Sequence, residues 1–159
     1  MTSLIWVTVI VAVFNRARTL QACLDSIFTQ TVRPFEIIVC DGGSTDGSRE
    51  IIASNSARLG YWQSQRDRGV AHAWNMALGH ASGEWLCFLG ADDRFAQPVS
   101  LAKLLEAAFD PAINYISGQA ALVDDTGRVQ RIIGERWDYW KQLCCRWERW
   151  RWSRVYDPC

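Results

Sequence analysis

Three short polar stretches carry the residue types that do chemistry. GADD (90–93) places two adjacent carboxylates, Asp92 and Asp93, directly after the apolar run Trp85 to Leu89. DGGSTDG (41–47) sets Asp41 and Asp46 among glycines and hydroxyls, and FNR (14–16) follows the first apolar run. An aspartate after a strand can serve as a turn residue, because its side chain satisfies nearby backbone donors. It can equally serve as an oxygen ligand for a hard cation, and the pair alone allows both roles. A divalent cation held by one or two carboxylates completes its shell with water and substrate phosphates, so a nucleoside diphosphate suits such a place. The cation would neutralise charge growing on a departing diphosphate. Asp41 could accept hydrogen bonds from a base or ribose.

The elements that must position these stretches follow from hydrophobic patterning. Leu4 to Phe14 is apolar except for Thr8 and rich in Val and Ile, as expected for a strand (about Trp6 to Val13) buried on both faces. Leu20, Cys23, Leu24, Ile27 and Phe28 then recur on one face of a helix. Pro34 breaks the chain, and Phe35 to Cys40 forms a second strand. Ser44, Thr45 or Asp46 can cap the helix carrying Ile51 and Ile52. A short strand near Tyr61–Ser64, a helix over 70–82, a strand over Glu84 to Leu89 and a helix opened by Pro98 complete the pattern. His72 falls on a helix without a Cys or His partner at metal spacing and reads as structural, and Trp74 and Trp85 read as core. Arg66 and Arg68 read as solvated surface.

Alternating strands and helices predict βαβ units, a mainly parallel sheet and right-handed crossovers. Ligands of such sheets bind beyond the carboxyl ends of the strands. The loops there are FNR (14–16), DGGSTDG and GADD, so the polar chemistry falls on one edge. From about Asn114 the pattern changes to two strands joined near Asp125-Thr126-Gly127, a turn-forming run. Residues 137–159 are rich in Trp, Arg and Cys, without a clean period.

Composition bounds the partners. Acidic and basic residues number 17 each, which gives no field for nucleic acid or an anionic membrane. The six cysteines show no C-x-x-C spacing, so free thiols in a reducing cytosol are expected. The N-terminal apolar run is too short to span a bilayer and lacks a basic region and a cleavage site.

Two stretches resemble a known family. VTVIVAVFNRARTLQACLDSIFTQTVRPFEIIVCDGGSTDGSREII (7–52) and DRGVAHAWNMALGHASGEWLCFLGADD (67–93) are similar to the opening of family 2 glycosyltransferases with the GT-A fold. The resemblance covers about residues 5 to 110. It implies a GT-A, Rossmann-like α/β core over 1–110, the start of an acceptor half over 111–136 and a tail over 137–159. It also implies transfer, with inversion, from a nucleotide-sugar, UDP-linked in the first instance, to a glycan or lipid-linked acceptor. The setting would be surface polysaccharide assembly in the cytoplasm, peripheral to the inner face of the membrane. Residue by residue, Asp41 matches the aspartate that contacts the base, and Ala12, Val13 and Phe14 match the wall beside it. Asp67 matches an aspartate near the nucleotide-sugar. Asp92 and Asp93 match the DXD-type motif for Mg²⁺ or Mn²⁺, with Asp93 the direct ligand and Asp92 also beside the donor.

Inversion needs a general base. Asp124 and Asp125 suit a hairpin turn, and no residue is assigned that role. The acceptor half reads as incomplete and the Trp/Arg-rich tail departs from the family, as a truncated or frame-shifted product would. A non-catalytic donor-binding module, or a fragment that sticks to membrane or protein through its tail, are the alternatives. Sheet edge left uncovered predicts aggregation or a homo-oligomer.

Overall fold

The computed structural model describes residues 7–32, 36–110, 112–124 and 126–134. Four parallel strands form one sheet in the order β3-β2-β1-β4. They are β1 (Val7–Val13), β2 (Glu36–Asp41), β3 (Tyr61–Ser64) and β4 (Trp85–Gly90). Helices α1 (Ala17–Phe28), α2 (Ser48–Ser54) and α3 (Val70–Leu78) connect them, and α4 (Ser100–Glu106) follows β4. A separate antiparallel pair, β5 (Ala120–Val123) and β6 (Val129–Ile133), ends the described chain.

The two-faced burial expected of β1 holds: every residue except Ala12 is buried. Its alternating side chains feed two cores. Val7, Val9, Val11 and Val13 pack with Ile37, Val39 and the α1 residues Leu20, Leu24 and Ile27. Ile10 turns the other way and packs with Ile38, Cys40, Ala73 and Ala77. Thr8, the one polar residue in the run, is fully buried and satisfied. Its hydroxyl donates to Glu36 Oε2 at 2.6 Å and accepts from the Gly83 N–H at 2.9 Å. A Cβ on Gly83 would stand 2.5 Å from the Thr8 backbone nitrogen, so only glycine lets β4 enter beside β1.

Several boundaries differ from the sequence pattern. Helix α3 stops at Leu78, before Gly79, instead of running to 82. The second strand and β4 each run one residue further than expected, to Asp41 and Gly90. Helix α2 begins at Ser48, with Gly47 in the left-handed region at φ 99° as its first flanking residue. Ser44, Thr45 and Asp46 therefore all precede the helix start. Trp85 is core, whereas Trp74 is only half-buried and its indole N–H finds no partner among the described residues. Trp6, Phe35, Asp125 and the stretch 135–159 lie outside the described residues.

Candidate functional site

Strand register brings the polar loops together. Val13 pairs with Asp41, Asp41 with Ser64, and Ala12 with Gly90. The segments after β1, β2, β3 and β4 thus leave the sheet at one level, on its carboxyl edge. The order reverses at β1, which has β2 on one side and β4 on the other, and this is where parallel sheets open a crevice.

Asp41 is fully buried. Its carboxylate accepts from the Ser44 N–H at 3.1 Å, from the Ser44 hydroxyl and from the Ser64 hydroxyl at 2.6 Å. Asn15 locks the neighbouring loop to this network. It adopts φ 51°, uncommon for a residue other than glycine. Its N–H donates to Ser44 Oγ at 2.8 Å, and its Oδ1 accepts from the Thr45 N–H at 3.0 Å. One chain of hydrogen bonds therefore runs from the β1 loop through Ser44 and Asp41 to β3.

Asp46 accepts at the start of α2, the helix it was expected to cap, and also at the start of α1, which was not expected. Oδ1 accepts from the Ser48 N–H at 3.0 Å and the Ser48 hydroxyl at 2.6 Å, at the start of α2. Oδ2 accepts from the Ala17 N–H at 2.9 Å, at the start of α1. These donors hold the carboxyl below its usual range, the Ser48 hydroxyl contributing most.

The aspartate pair lies in the turn after β4, where the Asp93 N–H donates to Gly90 O at 3.0 Å. Both aspartates are exposed, and both lean back over Gly90. Asp93 Oδ2 and Asp92 Oδ1 stand 2.8 and 3.0 Å from the point where a Gly90 Cβ would be. The other oxygen of Asp92, Oδ2, accepts from Arg16 Nε at 3.2 Å. Below the turn, burial first and then Asp93 and Asp92 push the Cys23 thiol up to about 12. Burial likewise raises Cys40 and Cys87 to about 11. All three are free thiols that stay protonated near neutral pH, so they are packing residues rather than nucleophiles.

Asp67 reaches the same edge. Its carboxylate lies 2.9 to 3.0 Å from a Cβ position on Gly42, and Oδ1 accepts from the Gly69 N–H at 2.8 Å, just ahead of α3. Val13 is buried, whereas Phe14 is 59% exposed and offers an open aromatic face. Arg66 and Arg68 are exposed. His72 is half-buried on α3, and its Nδ1 has no hydrogen-bond partner among the described residues. Asn15, Arg16 and Ser64 are contributors that the sequence pattern did not single out, and Ser44, expected as a helix cap, instead donates to Asp41. The FNR turn at a strand end was the available signal for the first two.

Among the described residues, no group of three or more His, Cys, Asp or Glu side chains is placed to hold a metal ion. The adjoining carboxylates of Asp92 and Asp93 fit a hard cation that takes its remaining ligands from water and diphosphate oxygens. They do not form a complete protein cage.

Residues 8–156 match the family described as glycosyl transferase family 2. The chain belongs to that family. The match runs past the 5–110 limit read from the motifs, to residue 156. A PGL/p-HBAD biosynthesis glycosyltransferase of Mycobacterium bovis is 41% identical over 105 residues, covering 64% of this chain and 40% of the relative. Glycosyltransferase GlyA of Streptococcus pneumoniae is 39% identical over 118 residues, covering 70% of this chain and 17% of the relative. Among solved structures, the mannosyltransferase PcManGT from Pyrobaculum calidifontis, in complex with GDP-Man and Mn²⁺, superposes with a TM-score of 0.63. It is 33% identical, over 71% of this chain and 35% of that one. TarS 1-349 of S. aureus, in complex with UDP-GlcNAc, gives 0.57 at 28% identity, over 65% of this chain and 30% of that one. The family 2 chain thus has the mainly parallel GT-A sheet, and it spans well under half the length of these relatives.

Proposed function

We propose that this chain is the donor-binding part of a glycosyltransferase that moves a sugar from a nucleotide-sugar to a glycan or lipid-linked acceptor with inversion. The observation that carries the reading is the register that sets Val13, Asp41, Ser64 and Gly90 at one level. Asp41, Asp67 and the Asp92–Asp93 turn then lie on the same carboxyl edge of the sheet. Family membership supplies the reaction type, and the GDP-Man and UDP-GlcNAc complexes of the structural neighbours support a nucleotide-sugar donor. UDP is the first nucleotide to test.

In this reading Phe14 and Val13 form the apolar wall beside the base. Asp41 takes a donor group of the base or ribose in exchange for one of its serine hydroxyls. Asp67 lies near the sugar. Asp93, with Asp92, holds Mg²⁺ or Mn²⁺ against the diphosphate; bound there, the cation supplies Lewis-acid neutralisation of the leaving group. None of the described residues is assigned as the general base. Among the described residues no helix is long and apolar enough to cross a membrane. Surface polysaccharide assembly on the cytoplasmic side, with peripheral membrane contact and self-association, completes the proposal.

Calorimetry with UDP and Mn²⁺ on wild type and Asp93→Ala tests the site. Wild type should bind UDP in a Mn²⁺-dependent way, and the variant should lose that dependence. No binding of UDP or GDP by wild type would sink the reading. Binding without sugar transfer to any acceptor would leave a donor-binding module.

A further inference from the structure

The Asp92–Asp93 turn carries a charge problem that the structure answers with one side chain. Asp92 Oδ1 and Asp93 Oδ2 converge on the same point above Gly90, within 3.0 Å of it. Two carboxylates on adjacent residues concentrate negative charge at the turn, and a nearby cation offsets it. The cation that faces them is Arg16, whose Nε donates to Asp92 Oδ2 at 3.2 Å across 76 residues of sequence. Arg16 is not a loose surface arginine. It is the residue flanking the start of α1, its backbone N–H donates to Ser48 Oγ at 3.0 Å, and its Nη1 donates to the Asn15 carbonyl at 3.2 Å. The same Ser48 is held by Asp46. The guanidinium base is therefore fixed by the hydrogen-bonded loops, while the head stays about half exposed.

We infer that Arg16 is a hand-over cation: it is the counter-ion of Asp92 while the site holds no donor, and it passes to the donor's diphosphate when a divalent cation takes Asp92. The inference rests on the donor-site reading above. Three features carry it. Asp92 Oδ2 cannot serve Arg16 and a cation fully at once, so the two compete. An exposed ion pair is weak, which makes the exchange easy. A released guanidinium keeps five N–H donors in a planar fork that matches phosphate oxygens, and its anchor on α1 leaves it on the same sheet edge. Arg16 is a positioning residue in the first state and a diphosphate contact in the second.

The consequence is a specific coupling between metal and nucleotide. Without nucleotide, Arg16→Met should bind Mn²⁺ more tightly than wild type, by roughly 3- to 5-fold, the worth of an exposed ion pair. With Mn²⁺ saturating, the same variant should bind UDP about tenfold more weakly, the worth of a charge-assisted hydrogen bond. The factor by which UDP tightens Mn²⁺, and by reciprocity Mn²⁺ tightens UDP, should therefore shrink. Mn²⁺ is read directly from the electron paramagnetic resonance of the free ion, with UDP and GDP titrated in parallel on the full chain. Arg16→Lys keeps a cation and should recover part of the coupling; the Met behaviour in the Lys variant would mean that charge is not what acts. Circular dichroism checks that each variant folds. Equal or weaker Mn²⁺ binding by Arg16→Met in the absence of nucleotide, with unchanged coupling, would overturn the inference while leaving the donor site standing. Failure of wild type to bind Mn²⁺ in the presence of either UDP or GDP would remove both.

Discussion

The parallel sheet and the β5–β6 hairpin are built from the same residue types and meet opposite environments. Strand β1, VTVIVAV, is buried along nearly its whole length between two layers of helix. Strands β5, AALV, and β6, VQRII, are exposed at every residue, with Leu122 at 50% and Ile132 at 60%. A strand is stabilised by what covers its faces more than by its backbone preference. A lone two-stranded pair is marginal in water, because it has no third strand and no helix to bury its apolar side. The difference bears on the proposed site. The site loops sit on the part of the molecule with a core beneath them, and a core is what holds carboxylates to a fraction of an ångström.

That contrast can be broken by substitution. Ile38, fully buried in the α3-side core, should cost about 2–5 kcal/mol when changed to Ala. Ile132→Ala in the hairpin should stay within about 0.5 kcal/mol. Urea unfolding of the two variants measures both. Equal losses would mean that the hairpin is as well covered as the sheet. Gly83→Ala comes next, at about 1–3 kcal/mol, because its new methyl would meet the Thr8 backbone, which cannot move without parting β4 from β1. Thermal melting should show it, and an unchanged midpoint would mean that the strands separate at little cost.

The smallest effect is local and depends on pH. Asp124 accepts from the Thr126 hydroxyl, the Arg128 N–H and the Gln130 amide, and the first of these does most to lower its carboxyl from 3.8 to about 2. A depressed acid stabilises its fold while ionised. The hairpin turn should therefore hold above about pH 4 and loosen as pH falls from 3.8 towards 2. Amide shifts of Thr126 and Arg128 followed over that window would report the change, with the sheet's amides unmoved. A midpoint near 3.8 would mean that the turn does not bind its own carboxylate.

Sequence patterning reached the parallel sheet because its signals are local: unbroken Val/Ile runs for β1 and β2, and the Leu20 to Ile27 spacing for α1. It reached the loops of the carboxyl edge because each follows directly on an apolar strand run. It over-ran α3, since Gly79 and His80 do not break a helix by composition alone, and it placed Trp74 deeper than it lies. Asp46 was legible as a cap, but not as the cap of α1, whose Ala17 N–H lies 29 residues back.

The residues by themselves determined the candidate side chains, in three polar loops, and the parallel order that sets those loops on one edge. Tertiary structure decided how those side chains stand. It buried Asp41 beneath two serines, spread Asp46 across two helix starts and paired Arg16 with Asp92. The physical reason is one of range. Periodicity and turn chemistry act within a few residues, whereas a hydrogen bond between positions 16 and 92 exists only after β1 and β4 have paired.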